Sequence, residues 1–227
     1  SFLIIDPQGA YENIPKMEYV NLQDIKDLKK FGLLIAQTNP NIVISTKGNT
    51  IEEQTSKINE ILKSYLKNIR KGIQTIIIDE VHKFAPEGTK TSAKSTLISM
   101  SQENRSDGLG VIEVTQRPAR LDKTILSQAD NLLIGRVTSY RDKQAISNYL
   151  DNKEDIEQVT KLEIGKMAFV GFGDDDITIR KIRKSETEHS GDTPKHLLTE
   201  EKEIFDKYKY KVFRRRNDKM EDKINKK

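Results

Sequence analysis

The sequence predicts an α/β fold with a mainly parallel sheet, flanking helices, a C-terminal β-hairpin and a charged tail. Short apolar runs without polar alternation, such as residues 2–5 and 75–78, predict strands buried on both faces, which is typical of parallel sheets covered by helices. Segments with helical spacing alternate with these runs, as strand–helix–strand crossovers require. Apolar runs at residues 167–172 and 177–182, separated by Gly-Asp-Asp-Asp, predict the hairpin.

The individual elements follow from local signals. A long helix is expected to begin after Thr50, which has Glu53 as its capping-box partner, and to end before Gly72. The other predicted helices cover residues 22–34, 92–105, 123–127, 140–150 and 153–162. The predicted strands before the hairpin cover residues 2–5, 42–44, 75–78, 108–115 and 131–137.

Length and composition limit the possible classes of protein. The 227 residues suffice for one sizeable domain, predicted at residues 1–194, and a basic tail, helical or disordered, at residues 195–227. That tail has 12 lysines and arginines against 7 acidic residues, so it accounts for the whole chain's charge of +4. No apolar run is long enough to span a membrane, and the first residues do not resemble a secretory signal. Without cysteine, a cytoplasmic protein is expected.

An acidic pair follows the predicted strand at residues 75–78. Ligands of α/β sheets bind at the carboxyl ends of the strands, so Asp79 is placed to hold Mg²⁺ and Glu80 to polarise a water for attack on a γ-phosphate. The alternative is an acidic strand end without a catalytic part. A catalytic zinc site is not expected, because the chain has three histidines, no cysteine and no HExxH motif.

Four sequence segments resemble the HerA/FtsK superfamily of ring-shaped DNA motors, and its HerA-like branch in particular. IDEVHKFAP resembles the family's Walker B region, and TQRPARLD resembles its next block. FLIIDPQGAY is similar to the strand that follows the family's nucleotide-binding helix, and KSETEHSGDTP to its closing segment. The resemblance spans residues 1–194 in the family's order. It implies a RecA-like P-loop NTPase core, ATP and Mg²⁺ as cofactors, ATP hydrolysis coupled to DNA movement, and a homo-oligomeric ring, a hexamer.

The resemblance also suggests roles for further residues. Arg105 corresponds to an arginine that reaches into the neighbouring subunit's nucleotide; an exposed helix-end arginine is the alternative. Gln116 is expected to sense the γ-phosphate or orient the attacking water, or else to bind turn backbone. Arg117 and Arg120 are candidates for contact with nucleotide, a subunit interface or DNA. Asp6 is expected either to contribute to cofactor binding, through the shell of the metal ion or the nucleotide-binding lysine, or to cap a loop.

The sequence lacks the phosphate-binding motif GxxxxGK(S/T). Gly165-Lys166 is followed by Met167 and a predicted strand, so it does not fit the motif's context. In the resembled family the loop lies just upstream of residues 2–5. The chain is therefore a fragment of a longer ATPase, a relative that lost the loop, or a chain whose loop comes from another polypeptide. Without this motif, the chain alone is expected to bind ATP poorly and to be inactive.

Other functions remain open at this stage. The DNA role could be end processing with a nuclease partner, viral genome packaging or plasmid transfer. One alternative is a type IV secretion-type ATPase, and another is a non-hydrolysing DNA-binding or assembly module. In the tail, Arg214, Arg215 and Arg216 lie among aromatic residues and could contact nucleic acid. The same segment could instead be a helix that docks on a partner, or a solvated end.

Overall fold

A computed structural model of the chain describes residues 1–69, 74–103, 108–150, 152–173 and 177–183, together with Lys207. The strands are β1 (Phe2–Asp6), β2 (Glu18–Asn21), β3 (Ile42–Ser45), β4 (Gln74–Ile78), β5 (Leu109–Glu113), β6 (Leu132–Ile134), β7 (Lys166–Val170) and β8 (Thr178–Lys181). The helices are α1 (Leu28–Thr38), α2 (Ile51–Asn68), α3 (Lys94–Glu103), α4 (Lys123–Ser127), α5 (Tyr140–Ser147) and α6 (Lys153–Thr160).

Five strands form a parallel sheet in the order β2-β3-β1-β4-β5. The inner strands β1 and β3 are almost entirely buried, as their continuous apolar sequences predict. Side chains from α1 to α4 pack with the strands in one core, in which Phe31, Ile61 and Phe84 have no exposed surface. The predicted α/β class with a mainly parallel sheet and flanking helices is confirmed.

Local sequence signals set the two longest helices. Asp27 caps α1, and Asn39 ends it in a left-handed conformation. At α2 both bonds of the predicted capping box form: Thr50 Oγ1 accepts from Glu53 N, and Glu53 Oε2 accepts from Thr50 N. The two helices pack so closely at Gly32 that a Cβ there would collide with the carbonyl oxygen of Ile61.

A second, three-stranded antiparallel sheet has the order β6-β7-β8. The predicted hairpin is confirmed as β7 and β8. The strand predicted at residues 131–137 is shortened to β6, which pairs with β7 and not with the parallel sheet. A separate apolar cluster packs this sheet against α5 and α6, and it includes Ile134, Ile146, Val159 and Ala168.

The segment around residues 18–28 differs most from the prediction. The helix predicted at residues 22–34 is instead a short 3-10 turn followed by α1, because Asp27 begins the helix later than the apolar spacing indicates. Strand β2 was not predicted. Within the described ranges no helix is long and apolar enough to cross a membrane. The division at residue 194 stays a prediction, because residues 184–206 and 208–227 lie outside the described part.

Candidate functional site

The parallel register brings three strand ends to one edge of the sheet. Ile78 at the end of β4 lies opposite Ile5 of β1 and Glu113 of β5. The backbone hydrogen bonds of the parallel sheet continue one residue beyond β4 and β5, because Asp79 N donates to Ile5 O and Val114 N donates to Ile78 O. The acidic pair after β4 is therefore flanked by the loop after β1 on one side and by the turn after β5 on the other.

Asp79 and Glu80 occupy distinct environments at this edge. Asp79 is half-buried, and its Oδ1 accepts the backbone amide of Glu80 at 2.9 Å. Burial, together with the charges of Glu80 and Asp6, raises the pKa of Asp79, although that amide bond opposes the rise. Glu80 is only 6% exposed, and its backbone is in the left-handed region (φ 47°, ψ 45°), which non-glycine residues seldom adopt. Such strain is found at sites where surrounding contacts fix a side chain's direction.

Glu80 is linked to the turn after β5 through His82. The Nδ1 of His82 lies 3.2 Å from Glu80 Oε2 and 2.9 Å from Thr115 Oγ1. Burial lowers the pKa of His82 even though the Glu80 charge acts in the opposite direction, so the ring is neutral at pH 7. Thr115 Oγ1 in turn accepts Arg117 N at 3.0 Å. One imidazole thus joins the acidic pair to the Thr-Gln-Arg segment.

The segment after the acidic pair and the segment after Gln-Arg-Pro are held together directly. Backbone bonds run from Asp122 N to Ala85 O and from Glu87 N to Arg120 O. Lys94 Nζ lies 2.6 Å from Asp122 Oδ2 and also donates to Pro86 O at 2.7 Å. The two sequence motifs therefore form one connected unit, although 28 residues lie between them in the sequence.

The structure places some predicted site residues beside the acidic pair. Gln116 and Arg117 are exposed and directly follow Thr115, so they lie at the same sheet edge as Glu80. Arg120 is exposed at the end of the short 3-10 turn Pro118–Arg120. Arg105 and the triplet Arg214, Arg215 and Arg216 lie outside the described residues, so their predicted roles stay predictions.

Asp6 supports the loop after β1 from beneath. The residue has no exposed surface, and its carboxylate accepts the backbone amides of Gln8, Gly9 and Tyr11 at 3.0, 2.8 and 3.0 Å. These are the contacts of the loop-capping alternative. Gly9 has a φ of +74°, and a Cβ there would meet the side chain of Lys47 at 2.8 Å, so the tight loop requires glycine.

Two residues of this loop belong to the site and were not predicted. Gln8 Nε2 donates to Glu80 Oε1 at 2.9 Å. Burial, followed by the charges of Asp79, Asp6 and Glu80, raises the pKa of Tyr11, which keeps its hydroxyl protonated beside the acidic groups. Both residues lie in the Asp-Pro-Gln-Gly-Ala-Tyr run just after a predicted strand, and that position was the available signal.

The arrangement suits a cation bound largely by a nucleotide. Within the described ranges, no three histidine, aspartate or glutamate side chains form a metal site of their own. Mg²⁺ is commonly held by one or two carboxylates, with water and substrate phosphates completing its shell. Asp79 fits that pattern, because a nearby cation would offset the charges that raise its pKa.

Comparisons with known sequences identify relatives of this chain. Residues 28–135 match the family model described as ATPase family associated with various cellular activities (AAA). DNA double-strand break repair helicase HerA of Sulfolobus acidocaldarius is 30% identical over 188 residues, or 82% of this chain and 35% of that protein. Probable helicase MJ1565 of Methanocaldococcus jannaschii is 37% identical over 98 residues, or 42% of this chain and 19% of that protein. The chain spans about a third or less of these curated relatives.

Solved structures share the architecture. The genome packaging NTPase B204 from Sulfolobus turreted icosahedral virus 2, in complex with AMP, aligns with a TM-score of 0.56 at 21% identity over 80% of this chain and 82% of that one. The same NTPase in complex with ATP-gammaS aligns with a TM-score of 0.52 over the same shares. At this level of identity the likeness establishes the fold.

Proposed function

Because the chain belongs to the P-loop ATPases of the HerA/FtsK type, we propose that it is part of an ATP-hydrolysing motor that moves DNA. The observation that carries this proposal is the position of Glu80. Its carboxylate is buried at the carboxyl end of β4, and His82 and Thr115 connect it to the turn that presents Gln116. A carboxylate so placed can accept the proton of a water that attacks a γ-phosphate.

Each residue of the site has a part in this proposal. Asp79 binds Mg²⁺, which neutralises charge on the phosphates when it is bound with ATP. Gln116 orients the attacking water or senses the γ-phosphate, and Arg117 contacts the nucleotide. The sequence has no GxxxxGK(S/T) motif, so the lysine that binds the phosphates is not assigned to a residue of this chain.

The proposal also includes a ring made of several copies of the chain and the substrate that this ring moves. Arg105 reaches the nucleotide of the neighbouring subunit in a homo-oligomeric ring, a hexamer, as an arginine finger does in other phosphoryl-transfer enzymes. DNA is the substrate that moves, and the motor is proposed to act in the cytoplasm. The HerA relatives support a DNA substrate, and a nuclease or a viral or plasmid protein is the expected partner.

The test compares Glu80→Gln with wild type in the full-length protein. Glutamine preserves the size of the side chain but cannot accept the proton, so kcat for ATP is expected to fall by about 10²- to 10⁴-fold while nucleotide binding persists. Glu87→Gln, on the exposed part of the following loop, is the matched control and is expected to keep near wild-type turnover. If Glu80→Gln hydrolyses ATP as fast as wild type, Glu80 is not the catalytic base.

A further inference from the structure

Gln8 lies on a loop whose shape is fixed independently of the acidic pair. The fully buried carboxylate of Asp6 binds the amides of Gln8, Gly9 and Tyr11, so the first turn after β1 has three backbone bonds to a single anchor. Fixing the backbone of Gln8 reduces the entropy lost when its side chain makes a directed contact. The loop therefore presents the amide of Gln8 at a defined position at the sheet edge.

The contact between Gln8 and Glu80 joins two segments that are 72 residues apart. An ionised carboxylate can only accept hydrogen bonds, so the Gln8 atom that faces Oε1 is the amide nitrogen. The donor–acceptor distance is 2.9 Å, which is normal for an N–H···O hydrogen bond. Oε1 thus has a fixed donor.

The other oxygen of Glu80 is placed differently. Oε2 is buried and receives no hydrogen bond from the described part of the chain, although His82 Nδ1 lies 3.2 Å away. Thr115 Oγ1 lies closer to the same nitrogen, at 2.9 Å. A buried carboxylate oxygen without a donor is costly unless another molecule supplies one. Gln8 therefore leaves Oε2 as the oxygen that is available to accept a proton.

We propose that Gln8 is a positioning residue of the hydrolytic site, and that its amide fixes Oε1 of Glu80 so that Oε2 faces the attacking water. This inference rests on the proposed ATPase function. Gln8 itself need not touch the nucleotide, and it acts through the direction of the Glu80 side chain. Its loss consequently affects the rate of the chemical step more than the binding of ATP.

The experiment measures steady-state ATP hydrolysis by the full-length protein and by its Gln8→Ala and Gln8→Glu variants. Loss of a hydrogen bond to a charged group is expected to lower kcat about tenfold in Gln8→Ala, with KM for ATP within about twofold of wild type. Gln8→Glu keeps the shape of the side chain but places a second carboxylate against Oε1. It is therefore expected to lower kcat further than alanine does.

Gln37→Ala, at an exposed position on α1, is the matched control and should leave kcat unchanged. Near wild-type kcat in Gln8→Glu would mean that only the shape of the loop matters, and it would overturn the assignment. A rise of kcat in Gln8→Ala would also overturn it, because Gln8 would then be restraining Glu80. Wild-type protein without ATPase activity would refute the proposed function itself, and the inference with it.

Discussion

Glu113 is a partly buried carboxyl group that makes the stability of the chain depend on pH near neutrality. It lies on β5 opposite Ile78, and its Oε1 accepts a hydrogen bond from Ser101 Oγ of α3 at 2.9 Å. Burial raises its pKa from 4.5 to about 7, and the bond from Ser101 opposes this rise only in part. In the native state, Glu113 therefore keeps a proton at pH values where the unfolded chain has already released it.

The sign and size of the effect follow from proton linkage. Between about pH 4.5 and pH 7 the native state binds more protons than the unfolded state, so the free energy of unfolding falls as the pH rises. At about 1.4 kcal/mol for each pKa unit, the full change amounts to about 3 kcal/mol and is complete above pH 7. Glu113→Gln removes the titrating proton but keeps an acceptor for Ser101. The variant should therefore gain stability over wild type by up to about 3 kcal/mol on going from pH 5 to pH 8.

Urea denaturation at several pH values, followed by circular dichroism, measures this difference. The exposed Glu12→Gln is the matched control, and its difference from wild type is expected to stay constant across the same range. A difference between Glu113→Gln and wild type that is equal at pH 5 and pH 8 would refute the reasoning.

Three other substitutions test the packing and the connections around the site. Gly32→Ala should lower the free energy of unfolding by about 2–3 kcal/mol in urea denaturation, because the new methyl group collides with Ile61 O. Thr50→Ala should cost about 1 kcal/mol, seen as a lower urea midpoint, because the capping box of α2 is lost. Lys94→Met should cost about 1–2 kcal/mol at pH 7, because Asp122 loses its cation. Burial raises the pKa of Asp122, but the hydrogen bonds from Lys94 and Thr124 and the charge of Lys94 together lower it, so this cost should shrink as the pH falls below about 4.

Each of these substitutions has a control in the chain. Gly135→Ala adds the same methyl group where nothing lies within 4 Å, and it should change stability by less than about 0.5 kcal/mol. Thr50→Ser keeps the capping hydroxyl and should retain most of the stability. Lys94→Arg keeps the charge of the pair. If Lys94→Met showed the same loss at pH 3 as at pH 7, the ion pair would not be its cause.

Local signals were sufficient for much of the fold. The capping box of Thr50 and Glu53 depends on residues three positions apart, so the start of α2 could be predicted from the sequence alone. The uninterrupted run of β4 likewise indicated a buried parallel strand. By contrast, β2 is a half-buried strand of four residues, and its sequence, Glu-Tyr-Val-Asn, contains no distinctive periodicity.

Pairing between distant segments could not be predicted in the same way. An apolar run such as Leu132–Ile134 specifies a strand but not its neighbour, and only the structure assigns β6 to the antiparallel sheet. The site shows the same limit. The strand end identified Asp79 and Glu80, whereas the bond from Gln8 depends on how β1 and β4 align.

The contacts of His82 could not be predicted from its position in the sequence motif. Its place two residues after Glu80 in the sequence does not identify its second partner in the site. That partner, Thr115, is 33 residues away and becomes a neighbour because β5 pairs with β4. The sequence at each strand end therefore identifies candidate reactive residues, whereas the contacts between these residues depend on the parallel register of the strands.

The most direct test of the central claim is ATP turnover by the full-length protein with and without duplex DNA. The measurement uses wild type and Glu80→Gln at equal protein concentration and at low salt, because contacts to phosphates weaken as salt increases. We expect hydrolysis by wild type to increase when DNA is added, and Glu80→Gln to hydrolyse little ATP in either condition. A wild-type rate that DNA of any form leaves unchanged would contradict a motor that moves on DNA.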